Sequence, residues 1–308
     1  MPFSLFGMAK QFLTVRYLTM KVGLIDIDGH NYPNLALMKL SAHNKAQGHK
    51  VQLATLESIK DFECGFASKV FSFTPMPELP DWIEAGGSGV NLKTALPNEI
   101  EHVCPDYSLY GLDYSLGFLT RGCIRRCEWC IVPEKEGQIK PHADITEFAR
   151  HRDVVLMDNN VLACEHGIRQ LEKIAELNLR VDFNQGLDAR LIDDAAARLL
   201  ARVKWLKPIR LACDSQAMMP HIQRAVGLLR WHNATPRAYF VYVLVKDIPD
   251  ALERIRFLKM LNVEPFAQPY RDFRTNSEPE KEQKAFARWV NHKAIFKSVL
   301  WEEYNKYE

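Results

Sequence analysis

The chain has 308 residues, 47% of them hydrophobic and 25% charged, as in a folded globular protein with length for about two domains. Forty lysines and arginines against 38 aspartates and glutamates leave a net charge of +2, too balanced for a dominant nucleic-acid footprint. No apolar run approaches the length of a membrane span, and an odd seven cysteines without a secretory signal point to a reducing, cytoplasmic setting.

Residues 1–19 carry Lys10 and Arg16 and no acid, and lack a compact apolar region or cleavage site. They read as a disordered extension, or as a start assigned upstream of Met20. From Lys21 the pattern is α/β. An apolar strand over 22–27 ends at Asp26-Ile27-Asp28-Gly29-His30, and a helix over 35–42 runs out near Gly48. Strands are expected at 50–54 and 69–73, which gives a parallel sheet with right-handed crossovers. Ligands of such sheets lie beyond the strand carboxyl ends, where Asp28 and His30 fall. Pro75, Pro77 and Pro80 mark an extended linker. Gly86-Gly87-Ser88-Gly89 is glycine-rich, but neither GxGxxG nor a Walker lysine follows. Residues 97–110 read as a boundary loop.

The second half alternates regularly. Strands are expected at 114–120, 153–157, 180–183, 209–213, 237–245 and 263–267, with helices at 144–150, 165–177, 191–201, 221–231 and 248–261. Ile168, Leu171, Ile174, Ala175 and Leu177 recur at helical spacing in the second of these helices. The pattern is that of a partial (β/α)6 TIM-like barrel. Over 277–308, Phe286, Trp289, Val290, Phe296, Val299 and Leu300 recur near helical spacing, so a helical tail is expected to pack a stripe on the barrel. The expected divisions are 1–19, 20–110, 111–275 and 276–308.

The first barrel strand leads into Gly122-Cys123-Ile124-Arg125-Arg126-Cys127-Glu128-Trp129-Cys130. The C-x3-C-x2-C spacing lets one short loop turn three thiols onto a common centre. Thiolates are soft ligands, suited to zinc and iron–sulfur clusters, and three thiols cannot all pair as disulfides. Two metal readings stay open. Zinc would want a fourth ligand or an open catalytic position. A [4Fe–4S] cube held by three cysteines would leave one iron free for a small molecule, since four cysteines are its usual complement. Cys64, Cys104, Cys164 and Cys213 are scattered and read as small buried apolar side chains. The later strands end in polar residues: Asp158-Asn159-Asn160, Gln185 and Arg190, then Asp214-Ser215. Taken singly, these types also form turns and cap helices. Together, at successive strand ends of a barrel, they favour a site.

With an aromatic residue directly before its third cysteine, the loop resembles the cluster loop of the radical S-adenosylmethionine enzymes. The resemblance extends from Met20 to about Tyr270. It implies that Cys123, Cys127 and Cys130 ligate a [4Fe–4S] cluster whose open iron chelates S-adenosylmethionine. One electron would then cleave that cofactor to methionine and a 5′-deoxyadenosyl radical. Trp129 would lie by the adenine, and Asp158, Asn159 and Asn160 would accept from the cofactor's amino group. Arg190 would meet a carboxylate, with Gln185 as a neighbour. Asp214-Ser215 stands where the family has Glu-Ser facing the ribose.

Arg125 and Arg126 would tune charge at the loop. A low-potential flavodoxin or ferredoxin would supply electrons, and the substrate is not legible. The first half resembles the small Rossmann-like, flavodoxin-type cobalamin-binding domain that precedes many of these barrels. It departs from the Asp-x-His-x-x-Gly string at Asp26-Ile27-Asp28-Gly29-His30, so a lid or docking module is expected rather than a cobalamin holder. Two other readings are a zinc- or cluster-stabilised binding protein and an RNA-modifying enzyme. The tail does not look like the basic β domain of tRNA methylthiotransferases.

Overall fold

Four consecutive residues of β1 (Lys21–Asp26) are buried, the signature of a strand covered on both faces. A computed structural model describes residues 19–29, 32–234, 239–272, 274–275 and 277–304, so the expected extension, Thr19 aside, and His30 lie outside the described residues. Asn34 caps α1 (Leu35–Ala46) by accepting from the Leu37 N–H at 3.3 Å. With β2 (Lys50–Leu53), β3 (Cys64–Ser68) and β4 (Ile83–Gly86), β1 forms a parallel sheet of order β2-β1-β3-β4.

The third strand is therefore 64–68, not 69–73. Cys-Gly-Phe-Ala-Ser has weak strand propensity, whereas Val70-Phe71-Ser72-Phe73 alternates like a strand. β4 was hidden in the proline- and glycine-rich stretch.

After α2 (Asn98–Glu101), the second half opens with β5 (Ser115–Gly117), shorter than the strand expected over 114–120. β6 (Thr120–Arg121) instead turns away and pairs antiparallel with β7 (Lys140–Pro141), across the cysteine loop and the short α3 (Val132–Lys135). α4 (Ile145–Phe148) is a single turn, then β8 (Asp153–Leu156), α5 (Glu165–Glu176), β9 (Arg180–Phe183), α6 (Asp194–Arg202) and β10 (Lys204–Trp205) follow. A parallel sheet of order β10-β9-β8-β5 results. α6 starts later than expected because the Asp193 carboxylate accepts from the Ala196 N–H at 2.8 Å and sets the cap there.

β11 (Ile209–Ala212), α7 (Met219–Trp231), β12 (Tyr239–Val245), α8 (Ile248–Met260) and β13 (Glu264–Pro269) supply a second parallel sheet, β11-β12-β13. A parallel bridge between Leu187 and Leu211 joins the two.

On β12, buried Tyr239, Val241, Val243 and Val245 alternate with half-buried Phe240, Tyr242 and Leu244. The buried set packs on the helices with Ile222, Val226, Leu229, Ile255 and Leu258, each contributing about 1.5–3 kcal/mol by leaving water. In α5, Leu171 and Ile174 are fully buried as expected, while Leu177 is exposed at the helix end. The inner, helix-free face is covered at β5 and β8 by the first unit, where Met38 of α1 packs with Tyr107, Leu116, Val155 and Met157. Tyr110 donates to Asp26 at 2.8 Å across the same junction.

The tail is not one helix but α9 (Lys281–Asn291), α10 (Lys293–Ser298) and α11 (Trp301–Tyr304). The break falls at His292, and Phe286, Trp289, Phe296 and Trp301 gather into one aromatic cluster against the core of the second half. Among the described residues, no helix is long and apolar enough to cross a membrane.

Candidate metal centre and cofactor site

The cysteine loop leaves the β6 ribbon through Gly122, whose φ is +84° and whose missing Cβ would stand 2.3 Å from the Gln138 carbonyl oxygen. Only glycine suits both demands. The Gly122 N–H donates to Glu136 Oε2 at 2.8 Å, and the Cys123 N–H donates to the Gly137 carbonyl at 3.2 Å. Glu136 also pairs with Arg121 at 3.3 Å and accepts from Asn159 Nδ2 at 2.9 Å. A carboxylate that sequence reading passed over thus closes the loop onto the end of β8.

Asp158 bonds to the loop's own stem. It is fully buried and accepts from the Leu119 N–H at 3.1 Å, the Thr120 N–H at 2.6 Å and the Thr120 hydroxyl at 2.7 Å. Burial pushes its carboxyl up to about 6, although these donors pull the other way. It anchors the stem of the loop. Asn160 lies beside the loop: its Nδ2 stands 3.4 Å from Cys123 Sγ and 3.3 Å from Asp188 Oδ2, and among the described residues its buried Oδ1 has no partner.

Asp188 is the second hub. It accepts from Arg125 Nε at 3.0 Å, and a two-pronged contact from Arg190 brings Nε to Oδ1 at 2.7 Å and an Nη to Oδ2 at 3.0 Å. Burial alone would raise the Asp188 carboxyl, but these bonds outweigh it and hold it below the usual range. Arg190 thus has two of its donors taken by Asp188. Its charge remains beside Cys127 and Cys123. Burial and the neighbouring Cys123 push the Cys127 thiol up, and Cys130 is raised by burial and by the other two cysteines.

Asp214, just past β11, is half-buried and accepts from the Leu244 N–H at 3.1 Å, and desolvation raises its carboxyl. Ser215 heads a 3-10 turn without capping it through its side chain. Gln185 is exposed and donates to its neighbour Asn184 at 3.2 Å, apart from the hubs. Trp129 is half-buried under Lys246, whose Nζ stands 5.9 Å from the Trp129 ring, 4.9 Å from the Tyr270 ring and 3.9 Å from Glu128. Lys246 escaped sequence reading because its only signal was its place just past β12.

On the inner face, Arg210 pairs with buried Asp182 at 2.8 Å and lies 3.2 Å from the Tyr242 hydroxyl. The Phe240, Tyr242 and Phe266 rings sit 5.0–6.0 Å apart beside it.

The three cysteine thiols are free and line one cavity of about 420 Å³ with Arg125 and Arg126. A larger cleft of about 520 Å³ lies along α9 and shares no lining residue with this cavity. Among the described residues, no three His, Cys, Asp or Glu side chains converge closely enough to hold a metal ion as they stand. A cube takes each cysteine on a different iron, so three thiols around a shared cavity, with N–H donors from Arg125 and Asn160 on Cys123 Sγ at 3.3 and 3.4 Å, fit a cluster.

No family model and no curated protein matches the chain. Solved structures do. TsrM of Kitasatospora setae, a radical S-adenosylmethionine methyltransferase with tryptophan and a cofactor analogue bound, matches at TM-score 0.58 and 14% identity over 81% of this chain and 73% of its own. OxsB, a cobalamin-dependent S-adenosylmethionine radical enzyme, matches with aqua-cobalamin and S-adenosylmethionine bound at TM-score 0.54 and 13% identity, over 90% of this chain. With aqua-cobalamin alone the values are 0.55, 12% and 94%, and the chain spans 56% of the OxsB length in both. The chain shares its fold with these solved structures. In that fold, the cysteine loop of this chain stands at the carboxyl end of β5 and β6, facing the ends of β8, β9 and β11.

Proposed function

We propose that this chain is a radical S-adenosylmethionine enzyme in which Cys123, Cys127 and Cys130 hold a [4Fe–4S] cluster. The observation that carries the reading is the cavity shared by the three thiols, fixed to strand ends by Asp158, Glu136 and Asp188. When bound and reduced, the cluster would supply the electron that splits S-adenosylmethionine into methionine and a 5′-deoxyadenosyl radical.

The chain's own residues would bind and orient. Asn160 Oδ1, buried and without a partner among the described residues, is an acceptor for the cofactor's ammonium. Trp129 offers its ring to the adenine, and Lys246 a cation at the same edge. The Ser215 hydroxyl, not used as a cap, is open to the ribose, with Asp214 behind it. Substrate would lie against the inner face beside Phe240, Tyr242 and Phe266, where water is partly excluded. Exposed Arg126 on the loop is where a low-potential flavodoxin or ferredoxin would approach.

The test is anaerobic reconstitution with metal analysis. About four iron and four sulfide per chain are expected, lost in Cys127→Ala with the far-UV circular dichroism retained. Stoichiometric zinc in place of iron would contradict the reading.

A further inference from the structure

In the first sheet the chain runs from β1 through α1 to β2 on one side, then to β3 and β4 on the other, so the order reverses between β1 and β3. Ligands of open α/β sheets lie in the crevice at that reversal, outside the strand carboxyl ends. Here the crevice is filled by the chain itself.

Asp28, just past β1 and 7% exposed, accepts from the Val70 N–H at 2.6 Å, the Phe71 N–H at 3.4 Å and the Thr74 hydroxyl at 2.6 Å. The end of β4 grips the same segment from the other side. The Lys69 N–H donates to the Gly86 carbonyl at 3.0 Å, the Gly89 N–H to the Lys69 carbonyl at 2.9 Å, and the Ser88 hydroxyl to the Val70 carbonyl at 3.0 Å. A Cβ on Gly87 would stand 2.3 Å from the Lys69 carbonyl oxygen, and one on Gly89 would stand 2.7 Å from that of Phe71. The glycine-rich stretch thus admits backbone 69–71.

Cobalamin, the group carried by OxsB in its solved structures, does not fit these residues. The three loops that would line its crevice are hydrogen-bonded to one another, and the carboxylate at the strand end already holds two backbone amides and a hydroxyl. The segment also continues toward the barrel. Phe71 and Phe73 stack at 5.1 Å, and the guanidinium of Arg271, just past β13, lies 4.9 Å over the Phe73 ring.

We propose that residues 69–74 are a built-in plug: the first unit binds neither cobalamin nor a nucleotide at its strand ends, and instead presents an aromatic peptide surface to the barrel rim through Phe73 and Arg271. Neither the cluster nor turnover enters this inference, so it stands or falls separately from the proposed function.

The test uses the full chain, cluster-reconstituted, incubated anaerobically with excess hydroxocobalamin and passed over gel filtration, with cobalt and the corrin absorption read in the protein peak. Cobalt far below one per chain is expected; one cobalt per chain would overturn the proposal. Hydrogen exchange reads the plug directly. The Val70 and Phe71 amides are expected to be protected, and to exchange about tenfold faster or more in Asp28→Ala. Thr74→Val, which removes only the hydroxyl donor, is expected to shift the same amides in the same direction by less. Val70 and Phe71 amides that exchange at unprotected rates in the unaltered chain would overturn the proposal independently.

Discussion

At the residue scale, carboxylates bonded to neighbouring protein groups build the site. Asp158 shows the cost. Its folded pKa of about 6 lies above the ordinary carboxyl value, so the folded state binds a proton more readily than the unfolded chain. The stability tied to that proton is fully present below about pH 4 and is lost as pH rises through about 6. The stability of the unaltered chain minus that of Asp158→Asn should therefore fall by up to about 3 kcal/mol between pH 4 and 7, read from urea midpoints. A flat difference over that range would contradict the assignment.

The same scale shows what sequence could and could not tell. Three thiols at C-x3-C-x2-C spacing leave a local pattern, and the structure places all three around one cavity. Asp188 and Glu136 leave none, because each bonds residues distant in the chain, Arg125 to Asp188 and Asn159 to Glu136 among them. Polar residues at strand ends were foreseeable. Whether Arg190 meets a ligand or a neighbouring aspartate was not.

At the element scale, strand alternation was legible wherever β-branched and aromatic residues carried it, as in β12, and failed where glycine and small residues formed the strand, as in β3. The tail's apolar stripe was visible, but its break at His292 was not, since nothing in the hydrophobic period marks it. Phe286 is fully buried among Trp289, Trp301 and the barrel core, and Asn291 fastens α9 by bonding both the N–H and the carbonyl of Ala267 at 2.8 and 2.9 Å. Phe286→Ala should cost about 3–5 kcal/mol in chemical denaturation. A loss within about 0.5 kcal/mol would mean that the tail is not part of the folded core.

At the scale of the whole molecule, the first unit covers the inner face at β5 and β8, leaving the remainder, with Arg210, Tyr242 and Phe266, beside the strand ends that carry the cysteine loop. An α/β chain with parallel sheets was legible from the alternation of elements. The way α1 docks through Met38 and Asp26 meets Tyr110 was not, because contacts between separately patterned segments have no periodicity to read. This placement brings the cysteine loop and the polar strand ends beside a half-buried aromatic face, the arrangement that the proposed function requires.

The most direct measurement is 5′-deoxyadenosine formed by the reconstituted chain with dithionite and S-adenosylmethionine under anaerobic conditions. The account predicts 5′-deoxyadenosine and methionine in equal amounts, abolished in Cys123→Ala, Cys127→Ala and Cys130→Ala. Cleavage that persists in any one of these variants would contradict it.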